Sequence, residues 1–270
     1  MAVMYEADPV TYVPCRSRFG VTGFFSVDET LIDCGPSCHH RTFRDFLTEN
    51  PAKRVLITHS HEDHAGNASL ALSRGIIPMA HEKALPILRK GIPSPARYRK
   101  WMWGKTPPVE AQALPEVVET PHHHFIVLPT PGHSADHVCF YEPNQRWLFA
   151  GDLFLSRKLM WLGQTEEIDG MIASLARVSD LEIRTLYCAH VGPIEDGSYF
   201  LRERLTYILD LRDTVRGLAS QGYSVHSIQK RLRMKDRRIR WSTLGERSAV
   251  NLIRALIASR GTVRDFPSGR

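Results

Sequence analysis

The sequence predicts an α/β fold. Short β-branched apolar runs alternate with segments whose apolar residues recur at helical spacing. Four of those runs end in a histidine or an aspartate, and around one of them five ligand-type side chains crowd into the six positions of 59-HSHEDH-64. The chain thus places metal-binding and acid–base side chains where strands hand over to loops, the usual location of function in layered α/β proteins.

The elements follow in order. From about residue 10 to 35 the pattern is strand-like, through FGVTGFFSV and TLIDCG. RTFRDFLTEN (41–50) predicts a helix with Phe43, Phe46 and Leu47 on one face. RVLITHS has the β-branched character of a buried strand, AGNASLALSRG predicts a helix closed by Gly75, and IIPMAH another strand. Residues 86–121 are rich in proline and read as a long loop with short helices, the kind of segment that forms lids or binding loops. Its 104-GKT-106 is no phosphate loop, because Arg99 stands where the first glycine belongs. Strands resume in HHHFIVLPTPGHS, HVCFYEP and RWLFAGD, a helix covers DGMIASLARVS, and EIRTLYCAH is a last strand. From about 198 the pattern is helical, with apolar stripes in YILDL and NLIRALIA. The division expected is therefore a catalytic domain over 1–197 and a basic helical extension over 198–270.

Composition bounds the function classes. The 270 residues, 43% hydrophobic and 24% charged, suit a globular chain with a sizeable core. No apolar run approaches the ~20 residues of a membrane span, and MAVMYEADPV lacks the basic start and apolar block of a signal peptide. Five cysteines at 15, 34, 38, 139 and 188 show no disulfide-framework spacing. A cytoplasmic location is the expectation. The nearest thing to a zinc knuckle, 34-CGPSCHH-40, has no second pair at finger spacing and reads as a turn and helix start. Residues 201–270 hold 16 of the 35 Lys/Arg and 6 of the 29 Asp/Glu. That basic tail fits an anionic small molecule; nucleic acid is the less favoured partner, since Trp241 is its only tryptophan.

Strand geometry explains the crowded segment. Side chains alternate faces, so His59 and His61 at the end of RVLITHS face the same way and can grip one ion. Asp63 and His64 fall where a helix begins, within reach of a second ion, while Glu62 points elsewhere. Ala65 and Gly66 are small enough to let the helix start pack close to the ions. The pattern recurs at His133 in LPTPGH, Asp152 in WLFAGD and His190 in LYCAH. Asp33 reads as a turn residue or a supporting group. Ser134 and His137 are candidates to orient a ligand through its other nitrogen. His122–His124 are expected at the surface, and His81 in a structural or supporting role.

These motifs resemble the metallo-β-lactamase-fold hydrolase superfamily, whose hallmark H-x-H-x-D-H stands here as 59-HSHEDH-64, followed in order by 131-PGH-133, 151-GD-152 and 189-AH-190. The resemblance covers about residues 12–195 and implies a four-layer αββα sandwich with two metals at one edge. Carried over, His59, His61 and His133 would hold one ion and Asp63, His64 and His190 the other, with Asp152 bridging them. The nitrogen-and-carboxylate donor set suits zinc; iron and manganese are the alternatives.

Without a G-x-S-x-G elbow or an H-E-x-x-H helix, metal-activated water is the economical mechanism, with Asp63 orienting it. The segment 130-TPGHSADHVCFY-141 is similar to the glyoxalase II-like branch and to thioesterases. The function expected is a dinuclear hydrolase of an ester, thioester or lactone. A phosphodiesterase or nuclease, and a mononuclear iron sulfur dioxygenase, are the alternatives. The C-terminal helices are expected to cap the site, to form a homodimer interface or to make a small separate lobe.

Overall fold

The computed structural model describes residues 5–7, 9–17, 20–92 and 97–260; the last ten residues of the basic extension lie outside these. The first sheet begins with β1 (Tyr5–Ala7), β2 (Val10–Ser17), β3 (Gly20–Val27) and β4 (Thr30–Ile32), all antiparallel. β3 and β4 are joined through Asp28 and Glu29, both at positive φ, as a two-residue hairpin requires. The chain then alternates through α1 (His40–Glu49), β5 (Arg54–Leu56), α2 (Glu62–Ala65), α3 (Ala68–Ser73), β6 (Ile77–Ala80), α4 (Leu85–Lys90), α5 (Arg97–Trp103) and β7 (Gln112–Ala113). β4 to β7 pair in parallel, so the described residues give a seven-stranded sheet in sequence order.

The second sheet is built from β8 (Val117–Glu119), β9 (His124–Pro129), β10 (Val138–Glu142) and β11 (Trp147–Phe149). After β12 (Leu162–Gly163) and α6 (Ile168–Ser179), β13 (Thr185–Cys188) and β14 (Gly192–Glu195) complete it, in the order β14-β13-β11-β10-β9-β8.

Strand alternation decides what each face buries. Tyr12, Phe25, Ile32 and Leu56 of the first sheet meet Phe125, Phe140, Phe149 and Tyr187 of the second in one core. Their neighbours Val13, Phe24, Leu31 and Val55 face the other way and pack with Phe43, Phe46 and Leu47 of α1, Ala68 and Ala71 of α3, and Leu88 of α4. The first sheet is thus buried on both sides, and its strands read as continuous apolar runs rather than as alternation.

The chain ends with α7 (Gly197–Ser220), α8 (Val225–Arg231), α9 (Arg237–Ser242), β15 (Arg247–Ser248) and α10 (Ala249–Ala258). It divides into two compact units. One comprises both sheets and α1–α5; the other comprises Thr130–Ser134, Ser156–Glu182 and the chain from Ser198. Within the second unit α10 packs on α6 and α8, β12 pairs with β15, and Ser259 Oγ donates to Asp169 of α6.

The proline-rich stretch is less irregular than expected, since β7 and β8, on its far side, join the two sheets. His123 is a correction. It is not at the surface: its side chain is only 8% exposed, because the β8–β9 hairpin lays its ring 4.9 Å from that of Trp147. His122 is exposed and bonds Asp28. His81 caps a short 3-10 turn, accepting from Lys83 N. Among the described residues no helix is long and apolar enough to cross a membrane.

Candidate metal centre

Topology brings the strand ends together. β9, β11 and β13 run in the same direction, so the loops after Pro129, Phe149 and Cys188 leave one edge of the second sheet. β4 and β5 are parallel, so Asp33 and the turn carrying His59 leave one edge of the first. The edges are joined by hydrogen bonds from Val138 N to Thr58 O and from Ser60 N to Asp136 Oδ2, 2.8 and 2.7 Å.

α2 is preceded by its N-cap His61, whose carbonyl accepts from the amides of His64 and Ala65. Its first turn therefore presents Asp63 and His64 inward. His59 Nε2 lies 3.0 Å from His61 Nδ1. Asp152 Oδ1 lies 3.2 Å from His64 Nε2 and 3.0 Å from His190 Nε2, and Asp63 Oδ2 lies 3.7 Å from His190 Nε2. Ligand atoms on one tetrahedral ion with bonds near 2.1 Å sit roughly 3.4 Å apart. These donors, all buried or half-buried, therefore fit divalent cations; His59, His64 and Asp152 form one group and Asp63, His64 and His190 another.

Three of the donor residues are held in place by neighbours. Asp33, at φ +60° after β4, accepts from Thr58 N and Thr58 Oγ1 through Oδ1, and from His64 Nδ1 through Oδ2 at 2.7 Å. His190 Nδ1 donates to Val21 O at 2.7 Å. In both rings Nε2 is left facing the carboxylates. His137 Nε2 accepts from Asp152 N at 3.0 Å. Gly151, at φ +48°, leaves the space that a Cβ would take from His137 and Thr58.

Burial, the largest single influence, disfavours a charged imidazole at His64, yet Asp33, Asp152 and Asp63 together hold its pKa well above the usual histidine range. His190 is raised in the same way, burial opposing and Asp152 and Asp63 prevailing. A buried site with this carboxylate excess demands positive charge, which divalent cations supply.

Residues 28–190 match the family model for the metallo-beta-lactamase superfamily. The chain belongs to that superfamily. Its sequence is 36% identical over 156 residues to the probable metallo-hydrolase YybB of Bacillus subtilis (strain 168), covering 57% of this chain and 68% of that one. It is 30% identical over 143 residues to a hydroxyacylglutathione hydrolase of Legionella pneumophila (strain Paris), covering 51% of this chain and about half (48%) of that protein. The fold matches a beta-lactamase domain protein from Burkholderia ambifaria, with TM-score 0.68, 20% identity, and 92% and 87% of the two chains covered. The two-sheet sandwich is thus that of a superfamily of metal-dependent hydrolases.

The other histidine expected as a ligand, His133, falls in the second unit. Its turn is tight: Gly132, at φ +141°, accepts from Glu167 N and lies against the backbone of Gly170 and Met171, where a Cβ would collide. His133 Nδ1 donates to Glu166 Oε1 at 3.1 Å. Ser134 Oγ is buried with no hydrogen-bond partner among the described residues.

Three carboxylates here escape sequence reading. Glu62 is 1% exposed and meets the Arg99 guanidinium at 2.6 Å. Asp136 ties down Ser60 N. Glu166 engages His133. Nothing in their local sequence marks them, because each partner is remote in the chain or, for Glu166, on a separate loop. Gly66 also differs from expectation: a Cβ there would strike the backbone of Gly35 and Ser37, so its smallness lets α2 meet the turn after β4 rather than the ligands.

Proposed function

We propose that the protein is a dinuclear zinc hydrolase that cleaves an ester, thioester or lactone. The observation that carries this reading is the place of Asp152, which groups with His59 and His64 while its Oδ1 lies 3.0 Å from His190 Nε2, so that one carboxylate stands beside ligands assigned to each of two ions. As the superfamily resemblance implies, His59, His61 and His133 would hold the first ion and Asp63, His64 and His190 the second. Two such ions supply Lewis acidity that polarises a carbonyl and lowers the pKa of water toward ~7. The chain's own part is positioning. Asp33 and Val21 O fix the tautomers of His64 and His190, and His137 fixes the backbone of Asp152. Asp63, 8% exposed, is placed to orient the attacking water and hold its proton on a carboxylate oxygen.

The similarity to a hydroxyacylglutathione hydrolase favours an acyl-thioester substrate, and the basic C-terminal helices favour an anionic one. The test is a panel of acyl-glutathione thioesters, lactones and bis(p-nitrophenyl) phosphate with zinc-loaded protein. Thioester turnover lost by ≥ ~10³-fold in Asp152→Ala is the expected outcome. Turnover of the phosphodiester alone, or an Asp152→Ala variant as active as wild type, would refute the reading.

A further inference from the structure

We infer that Glu166 and Arg247 are positioning residues for the metal ligand His133, so that the C-terminal extension helps to set the affinity of the metal centre. This rests on the reading of His133 as a ligand. Glu166, 6% exposed at its side chain, uses both oxygens: Oε2 accepts from Gly163 N at 2.9 Å, and Oε1 receives His133 Nδ1 at 3.1 Å and Arg247 Nη2 at 3.4 Å.

Arg247 is built into place. β15 pairs with β12 in the register Gly163↔Arg247, and Gln164 N donates to Glu246 O at 3.1 Å. The guanidinium lies over the Trp161 ring, 5.2 Å from its centroid. Behind it, Ser248 caps α10 through Asn251 N, Asn251 Nδ2 reaches back to Leu162 O, and Asp236 accepts from Ala249 N. A continuous set of contacts thus runs from α10 to the His133 ring.

The chemistry follows from the hydrogen-bond geometry. A carboxylate accepting Nδ1–H fixes the tautomer that leaves Nε2 to bind a cation and makes that nitrogen a better donor. Gly163 N and Arg247 hold the two oxygens of that carboxylate, so it faces the ring in one fixed orientation. Glutamine at 166 preserves shape and a carbonyl acceptor but removes that charge.

The test uses cobalt(II) as probe, with the full chain, chelator competition for affinity, and the visible absorption of the bound ion. Glu166→Gln is expected to weaken one cobalt site about 10–100-fold and to shift its absorption bands, while Arg247→Lys stays closer to wild type than Arg247→Met. Wild-type affinity and spectrum in Glu166→Gln would overturn the inference. If that variant does not fold, the Arg247 pair decides, equal affinities overturning it. His133→Ala separates the two ideas: unchanged cobalt binding there would remove His133 as a ligand, whatever Glu166 does.

Discussion

Asp33→Asn would keep the size of the side chain and its contact with Thr58 while removing the charge that receives His64 Nδ1. The expected result is a metal affinity lower by roughly 10–100-fold, read by chelator competition; an unchanged affinity would reduce Asp33 to a turn residue. The cysteines give a second residue-level prediction. Burial pushes Cys15 up to about 12 and Cys188 up to about 11, Cys34 is raised well above the usual thiol range, and Cys139 is fully buried. Only Cys38 is exposed. Mass spectrometry after iodoacetamide should find Cys38 alone modified in the folded protein and all five after denaturation; labelling at Cys15 or Cys139 in the folded state would contradict the packing. At this scale the sequence was legible where chemistry is concentrated. Histidines and aspartates at strand ends stand out, whereas Glu62 and Glu166 gain meaning only from partners that folding brings to them.

Arg99 of α5 and Glu62 of α2 form an ion pair with side chains 12% and 1% exposed. Removing one partner of such a pair strands the other charge, at a cost of about 3–5 kcal/mol. Arg99→Met should therefore destabilise the protein by about 3 kcal/mol in urea unfolding, and the double variant Arg99→Met/Glu62→Gln should recover part of the loss; additive losses would mean that the pair does not hold α5 to α2. In the second unit, Ile253 of α10 is fully buried, so Ile253→Ala should cost about 2–5 kcal/mol. Trp241, 83% exposed, should tolerate alanine within ~0.5 kcal/mol. Helices with a clear apolar period, such as α1, α6 and α10, were readable in advance. β12, β14 and β15 were not: two to four residues carry no period, and their place is set by pairing partners. α9 failed for another reason, since no residue of it is buried.

For the whole molecule, the motif order carried the fold. Seven ligand-type residues in family order implied a two-sheet sandwich that no local pattern could have specified, and the family match over residues 28–190 agrees with it. The grouping of Thr130–Ser134 and Ser156–Glu182 with the C-terminal helices was not legible, because it depends on long-range contacts such as Asn251 to Leu162. With Asp152 between the two sets of ligands, this framework should hold two divalent ions. Elemental analysis of protein purified without oxygen or chelator tests it most directly. Two zinc or manganese ions per chain are expected, falling to one in His190→Ala. A single iron per chain, or no bound metal at all, would contradict it.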